Sequence, residues 1–255
     1  MNRRTTLSRS RLTAFLMATC LVLMSCAGEA GPDPAAEPAP PSGTMEELRM
    51  RMVEQQIAAR GIRNEAVLEA FRTVPRHLFV PSHVQPFAYD DGAQPIGFGQ
   101  TISQPYIVAL MTDLAQPSRE GRVLEVGTGS GYQAAILGEL FQDVFTIEIL
   151  PELGRRAERI LADQQYSNVK VRIGDGYDGW PDEAPFDAIV VTAAPPSIPR
   201  PLMEQLAEGG RLVIPVGERT AGQDLMVLTR HGDDYRRNLV TGVRFVPMTG
   251  KIEEK

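Results

Sequence analysis

From Arg122 onward, the sequence alternates between short apolar segments and segments in which apolar residues recur at helical spacing. The predicted strands are residues 123–126, 144–147, 169–173, 188–191 and 212–215, and the predicted helices are residues 132–140, 152–164 and 200–207. Two later apolar segments, residues 224–230 and 239–248, show no helical pattern and are predicted as antiparallel strands at the far edge. Continuous apolar strands that alternate with helices are typical of a parallel sheet covered on both faces. The expected fold class is therefore α/β, a doubly wound, Rossmann-like sheet that is mostly parallel with an antiparallel edge.

The region before this alternation predicts helical and loop additions. Apolar residues at helical spacing predict a helix from about Met45 that ends at Gly61, followed by a short helix over residues 65–72. Residues 74–81, VPRHLFVP, hold an apolar run between two prolines and are predicted as a strand or a turn. Residues 89–104 are glycine-rich and predicted to be an irregular loop, which at this length usually has a function, and a helix is predicted from Pro105.

The composition excludes several classes of protein. Cys20 and Cys26 are the only cysteines, so disulfides, thiolate zinc sites and cysteine nucleophiles are excluded from the rest of the chain. His77, His83 and His231 lack the short spacing of a helical metal site, and we expect no metal. The net charge of −6 argues against a nucleic-acid-binding protein, which needs a positive face to displace counterions from phosphates.

The sequence EVGTGSG, residues 125–131, ends the first strand of the alternation and places three glycines at alternate positions. A nucleotide-binding P-loop needs Lys followed by Ser or Thr after the last glycine, where this chain has Tyr132 and Gln133. A dinucleotide site needs its third glycine at the position of Tyr132. The tighter spacing, with Glu125 two residues before the first glycine, resembles motif I of S-adenosylmethionine-dependent methyltransferases, and a dinucleotide site is the remaining alternative.

Two more acidic residues follow the next two strands. Glu148 ends the second strand, where a carboxylate can accept hydrogen bonds from both ribose hydroxyls. Asp175 follows the third strand, where a carboxylate can accept from an adenine amino group while Gly174 and Gly176 keep the backbone close. The alternative interpretation is that Glu148 only begins a loop and Asp175 only caps a turn.

Six stretches carry motifs that are more specific than the glycine loop alone: VPRHLFVP (74–81), AYDDGAQPIGFGQTISQPYIVALM (88–111), VLEVGTGSGYQAAIL (123–137), GDGYDGWPDEAPFDAIVVTAA (174–194), GGRLVIPVG (209–217) and RFVPMTG (244–250). Together they resemble the protein-L-isoaspartate O-methyltransferase family over nearly all of residues 47–250. The GQTIS segment is especially specific, because most methyltransferases lack it.

The resemblance implies methyl transfer from S-adenosyl-L-methionine to the α-carboxylate of L-isoaspartyl residues in damaged proteins and peptides. The ester then cyclises to a succinimide, which hydrolyses partly to normal aspartate. Two alternatives are a methyltransferase for another carboxylate or small-molecule acceptor and a degenerate, lipid-anchored binding protein.

The resemblance also implies which residues form the site. Ser103 matches the family's active-site serine, and its hydroxyl is expected to orient the acceptor carboxylate; the alternative is that Ser103 only caps the helix that begins at Pro105. With the motifs above, the expected cofactor-binding residues are Gly97, Phe98, Gly99, Gln100, Glu125, Gly127, Thr128, Gly129, Ser130, Gly131, Glu148, Ile149, Asp175, Gly176 and Thr249.

The N-terminal residues have the pattern of an export signal. Residues 1–26 run from arginines through an apolar segment to small residues, and LMSC resembles a bacterial lipobox with Cys26 as the lipidated residue. Residues 27–44 are predicted to be a Pro- and Ala-rich tether, and residues 45–255 a single methyltransferase domain, expected to be a monomer. The alternative is a misplaced start codon, with Met45 or Met50 as the true first residue and the cytoplasmic location usual for the family.

Overall fold

The computed structural model describes residues 42–218 and 220–254. The predicted leader, residues 1–26, and the predicted tether up to residue 41 lie outside these ranges. Within the described ranges, no helix combines the length and the apolar character that crossing a membrane requires.

The N-terminal helices follow the predicted apolar spacing. Helix α1 (Met45–Met52) continues through a π-helical turn (Val53–Ile57) and a 3-10 turn (Ala58–Arg60) and ends at Gly61. The φ of Gly61 is 103°, a left-handed conformation that favours glycine and ends the helix. Helix α2 (Glu65–Thr73) follows after a short connection, as predicted.

The next segment differs from its prediction. A 3-10 helix (Arg76–Phe79) occupies the apolar run between the two prolines, so the turn is the correct alternative there. The prediction of an irregular loop is wrong, because β1 (Gln94–Gly97) and β2 (Gln100–Ile102) form an antiparallel hairpin. Its turn has positive φ at Gly97, Phe98 and Gly99 (92°, 55° and 72°). The two strands are too short to show an alternation of apolar and polar residues, so the sequence does not predict them. Helix α3 (Pro105–Leu114) then begins at the predicted residue.

The main sheet has seven strands in the order β5–β4–β3–β6–β7–β8–β9. The strands are β3 (Arg122–Val126), β4 (Asp143–Glu148), β5 (Val169–Ile173), β6 (Phe186–Val191), β7 (Leu206–Val216), β8 (Gln223–His231) and β9 (Asp234–Val243). Strands β3 to β7 pair in parallel, whereas β8 is antiparallel to both of its neighbours. Helices α4 (Tyr132–Gly138), α5 (Pro151–Asp163) and α6 (Arg200–Glu204) connect parallel strands, so the predicted fold class is confirmed.

Each face of the sheet buries its own apolar core. Val123 belongs to the core that helices α1 to α5 cover, and its neighbour Leu124 belongs to the core on the other face. Leu202 of α6 and the C-terminal residues Met248 and Ile252 cover that second face. The alternation follows from strand geometry, in which successive side chains point to opposite faces. Coverage on both faces explains why β3, β4 and β6 are almost continuously buried, whereas the edge strand β5 alternates apolar and basic residues and is only partly buried.

Several predicted boundaries are wrong, and β7 begins at Leu206 rather than at residue 212. Helix α6 ends at Glu204 rather than at residue 207, because Leu206 already pairs with Phe186 in the sheet. The last strand is Asp234–Val243 rather than residues 239–248. Most side chains of this edge strand are exposed, so polar residues are tolerated there as well as apolar ones. A prediction based on apolar residues therefore places the start of the strand too far along the chain.

Thr44, which the sequence assigns to the tether, is the N-cap of α1. Its hydroxyl accepts from the Glu47 N–H (3.1 Å), and the Glu47 carboxylate accepts from the Thr44 N–H (2.9 Å). A chain beginning at Met45 loses this cap, so we expect it to be about 1 kcal/mol less stable than a chain beginning at Ser42. We expect both chains to fold and to have equal activity. Urea unfolding of the two chains measures the difference, and equal free energies of unfolding would contradict a role for the cap.

Candidate active site

The candidate site lies where the strand order of the sheet reverses. From β3 the chain moves outward through β4 to β5, and then returns to the other side of β3 as β6. Ligands of doubly wound sheets bind outside the carboxyl ends of the strands at such a point. A cavity of about 230 Å³ opens here, lined by the loops after β3, β4 and β6, by the β1–β2 hairpin and by residues 246–249.

The loop after β3 brings its backbone close to the cavity. Gly127 has a φ of 100°, and a Cβ atom at this position would lie 2.3 Å from Oγ1 of Thr192. The Thr192 hydroxyl donates to the carbonyls of Val126 (3.1 Å) and Gly127 (2.6 Å). Gly131, with a φ of 87°, is the N-cap of α4 and lies against Ala157 of α5. Close contacts on both sides of the loop therefore require glycine at these two positions.

The carboxylate of Glu148 joins the loop after β3 to the loop after β4. Its Oε2 accepts from the Gly129 N–H (2.7 Å), and its Oε1 accepts from the Leu150 N–H (2.9 Å). The side chain is buried and lines the cavity. Each carboxylate oxygen has more than one acceptor direction, so both can still accept from a ligand hydroxyl.

Glu125 lies deeper in the same wall and is fully buried. Its Oε2 accepts from the Thr146 hydroxyl (2.5 Å), which is itself 2.6 Å from the Thr128 hydroxyl. Its Oε1 has no hydrogen-bond partner among the described residues. Burial raises the pKa of Glu125 to about 8, the Thr146 hydrogen bond opposes this rise, and the nearby Glu148 carboxylate adds to it.

The β1–β2 hairpin contributes a second wall. Phe98 at its turn is 59% exposed and still lines the cavity. Ser103, directly after β2, is half-buried and lines the cavity as well. The N-cap of α3 is Gln104, and no side chain makes a cap hydrogen bond there, so Ser103 does not cap this helix.

The chain returns to the cavity after β9. The Ala194 N–H donates to the Val246 carbonyl (2.8 Å), and the Met248 N–H donates to the Ala194 carbonyl (2.9 Å). This pairing sets residues 246–249 along the loop after β6 and makes them part of the cavity wall.

Asp175 is held by two backbone groups outside the cavity lining. Its Oδ1 accepts from the Tyr177 N–H (2.8 Å), and its Oδ2 accepts from the Lys251 N–H (2.8 Å). The first contact is the turn-capping arrangement that the sequence left open as an alternative. The second ties the C-terminal segment to the loop after β5.

The cavity brings together most of the residues that the sequence predicts for the site. Those in its wall are Phe98, Gln100, Ser103, Glu125, Gly127, Thr128, Gly129, Ser130, Glu148, Ile149, Gly176 and Thr249. The remaining ones, Gly97, Gly99, Gly131 and Asp175, lie outside the lining and shape the turns next to it. The ligand-binding roles of all these residues stay predictions.

Sequence reasoning did not single out three polar residues next to the site. Thr192 holds the first glycine of the loop, Thr146 holds Glu125, and Arg76 donates to the carbonyl of Ser103. The sequence gives no local signal for these contacts, because each partner lies far away along the chain.

Metal ligands are a separate question. In the part of the chain that the structure describes, no three His, Cys, Asp or Glu side chains lie together as they would around a metal ion. The expectation of a metal-free site stays a prediction.

The comparisons with known proteins bear on the whole domain. The sequence model of the family described as protein-L-isoaspartate(D-aspartate) O-methyltransferase matches residues 47–253. This chain belongs to that family. Protein-L-isoaspartate O-methyltransferase 2 of Shewanella sediminis is 54% identical over 213 residues, which cover 82% of this chain and 87% of that protein. The protein-L-isoaspartate O-methyltransferase of a Picosynechococcus species is 56% identical over 203 residues, covering 80% of this chain and 90% of that protein.

Solved structures of the protein-L-isoaspartate O-methyltransferase family share the fold. One has a TM-score of 0.71 at 26% identity and covers 82% of this chain and 67% of its own. Another is a putative member from Plasmodium falciparum in complex with S-adenosyl-L-homocysteine, with a TM-score of 0.70 at 24% identity. That superposition covers 79% of this chain and 98% of the other.

Glu125 predicts a pH dependence for the stability of this methyltransferase. The native state keeps Glu125 protonated up to about pH 8, whereas the unfolded carboxyl ionises near its ordinary pKa of 4.5. The native state therefore binds more protons in this window, and this contribution to stability falls by about 1.4 kcal/mol per pH unit as the pH rises from 4.5 towards 8.

Glu125→Gln isolates this contribution, because the amide keeps an oxygen that accepts from Thr146. We expect the variant to gain stability relative to the wild type as the pH rises, with little difference near pH 4.5. Urea unfolding of both proteins at several pH values measures the difference. A difference that stays constant with pH would show that Glu125 does not titrate in this way.

Proposed function

We propose that this protein transfers the methyl group of S-adenosylmethionine to the α-carboxylate of L-isoaspartyl residues in damaged proteins and peptides. One observation carries the proposal: the same cavity is lined by two acidic residues and several glycines expected for the cofactor and by the serine expected for the acceptor. The family match and the relatives at more than half identity support the same activity.

The residues of the cavity fit S-adenosylmethionine. We assign the ribose hydroxyls to Glu148, whose carboxylate is fixed by two N–H groups and keeps acceptor capacity. Glu125 offers a buried oxygen without a partner among the described residues, which leaves a hydrogen-bonding position for a ligand group. Gly127 and Gly129 let the ligand approach the backbone. We assign the adenine amino group to Asp175 from its place after β5; it lies next to the cavity lining, and each of its oxygens keeps acceptor capacity beyond its one backbone contact.

The bound cofactor would supply a methyl group made electrophilic by a positively charged sulfur atom. The acceptor carboxylate is ionised and nucleophilic at neutral pH, so the protein needs no strong base. Its own contribution is alignment and the exclusion of water. In our proposal the Ser103 hydroxyl donates a hydrogen bond to the acceptor carboxylate and orients it, while the hairpin and residues 246–249 cover the reacting groups.

The product determines the biological outcome. A methyl ester has a more electrophilic carbonyl than a carboxylate and a methoxide leaving group, so the neighbouring backbone nitrogen can attack the carbonyl and form a succinimide with loss of methanol. Hydrolysis of the succinimide then yields partly normal aspartate. Methylation at this site therefore begins the repair of an isoaspartyl residue.

Two substitutions should separate acceptor use from cofactor binding. Ser103→Ala should lower kcat/KM for an isoaspartyl peptide by about 10- to 100-fold, the value of one hydrogen bond to a charged group, and leave cofactor affinity nearly unchanged. Glu148→Ala should instead weaken binding of S-adenosylhomocysteine by about 1.5–3 kcal/mol. Methylation kinetics and calorimetric titration of the folded variants measure the two effects.

An aspartyl peptide of the same sequence is the control for the acceptor. The wild type should methylate only the isoaspartyl peptide; equal methylation of both would indicate another acceptor. A flat titration of the wild type with S-adenosylhomocysteine would favour a binding protein without cofactor. Equal losses of turnover and affinity in Ser103→Ala would place the serine in the support of the loop rather than in acceptor binding.

We infer from the sequence that residues 1–26 direct export, that Cys26 becomes lipidated, and that the catalytic domain acts as a monomer on a membrane tether. The support is the order of basic, apolar, small and Pro-rich segments. These residues precede the region matched by the family model, which begins at residue 47.

Cys26→Ser tests the lipid anchor. We expect the wild type in the membrane fraction and the variant in the soluble fraction, because the lipid would be lost while the domain stays intact. Intact mass of the purified wild type should show the added acyl chains. A soluble wild-type protein that begins at Met45 or Met50 and carries no lipid would instead support the misplaced start codon.

A further inference from the structure

Arg76 is a buried cation that the catalytic proposal does not use. It lies in the 3-10 helix Arg76–Phe79, and its side chain is fully buried. None of the ion pairs in the described part of the chain includes it. Burying a charge without an opposite charge costs stability. The hydrogen bonds that compensate for this cost therefore indicate the role of Arg76.

Those hydrogen bonds go to two backbone carbonyls of the acceptor side of the cavity. Nε donates to the carbonyl of Ala88 (2.7 Å), before the β1–β2 hairpin, and Nη2 donates to the carbonyl of Ser103 (2.7 Å), directly after it. One rigid, planar guanidinium therefore fixes both ends of the segment that carries the hairpin.

The same guanidinium contacts the cofactor side of the cavity. Its central carbon lies 4.9 Å from the ring centroid of Tyr132, the first residue of α4 and the residue directly after the glycine loop. Phe71 and Phe79 hold the Tyr132 ring by edge contacts, with ring centroids 6.0 and 5.7 Å away. Arg76 thus lies between a fixed ring next to the glycine loop and the backbone of the predicted acceptor residue.

We propose that Arg76 is a positioning residue that fixes the backbone of Ser103 relative to the glycine loop, so that the serine hydroxyl meets the acceptor carboxylate. This inference rests on the proposed function for the role of the hydroxyl. The position of the backbone is a property of the protein itself and can be measured without any substrate.

Hydrogen exchange tests the position directly. Arg76→Lys keeps the charge but loses the planar fork that reaches both carbonyls, so exchange of the amides in residues 98–104 should become about tenfold faster. Arg230→Lys is the matched control: Arg230 also donates to backbone carbonyls, those of Leu206 (2.6 Å), Gly232 (3.0 Å) and Glu204 (3.4 Å), and lines no part of the cavity. Its exchange in residues 98–104 should equal that of the wild type. Unchanged exchange in Arg76→Lys would overturn the proposal.

Enzyme kinetics test whether Arg76 affects methylation by positioning Ser103. Arg76→Lys should lower kcat/KM for an isoaspartyl peptide by about tenfold and change the Kd of S-adenosylhomocysteine by less than about threefold. In a Ser103→Ala background the same substitution should have an effect below about twofold, because the hydroxyl that it positions is gone.

A merely structural arginine gives a different pattern. Equal factors in both backgrounds, with a matching loss of cofactor affinity, would overturn the proposal, and so would an Arg76→Lys protein that does not fold. A wild-type protein that fails to methylate the isoaspartyl peptide would refute the proposed function instead, while the exchange experiment would still decide whether Arg76 fixes the Ser103 backbone.

Discussion

The parallel pairing of β3 with β4 on one side and β6 on the other determines where the residues of the site lie. Val126, the last residue of β3, pairs with Ile147 of β4 and with Val191 of β6. The three strands therefore end side by side, and the loops that follow them open at one edge. The glycine loop, Glu148 and Thr192 are close together for this reason, although they are far apart along the chain.

The two acidic residues at this edge, Glu148 and Glu125, differ in how their oxygens are hydrogen-bonded. This difference explains how one cavity wall can be held in place and still bind a ligand. Glu148 is satisfied by backbone N–H groups and fixes two loops relative to each other. Glu125 keeps one buried oxygen without a partner among the described residues, and burial raises its pKa. The first residue organises the site before any ligand arrives, whereas the second leaves a buried polar oxygen with which a ligand can form a hydrogen bond.

The sequence predicts the central strands well because they are buried on both faces and so must be continuously apolar; β3, Arg122–Val126, begins one residue before its predicted start and ends at the predicted residue. It fails for the β1–β2 hairpin and for β9, where positive φ angles or an exposed edge decide the structure rather than hydrophobic pattern. The same distinction holds for the site. Glu148 and the glycine loop are predictable because they end apolar strands, but Thr192 and Arg76 act through partners 65 and 27 residues away, which no local pattern reveals.

The antiparallel β8 reverses the chain, and β9 leads it back to the carboxyl edge of the sheet, where residues 246–249 close the cavity and Lys251 is bound by Asp175. One wall of the site is therefore built from residues that follow the last strand of the sheet. During synthesis all seven strands leave the ribosome before these residues do. A nascent chain that ends just after Val243 contains every strand of the sheet but still has an open site, and the contact between Lys251 and Asp175 can form only later.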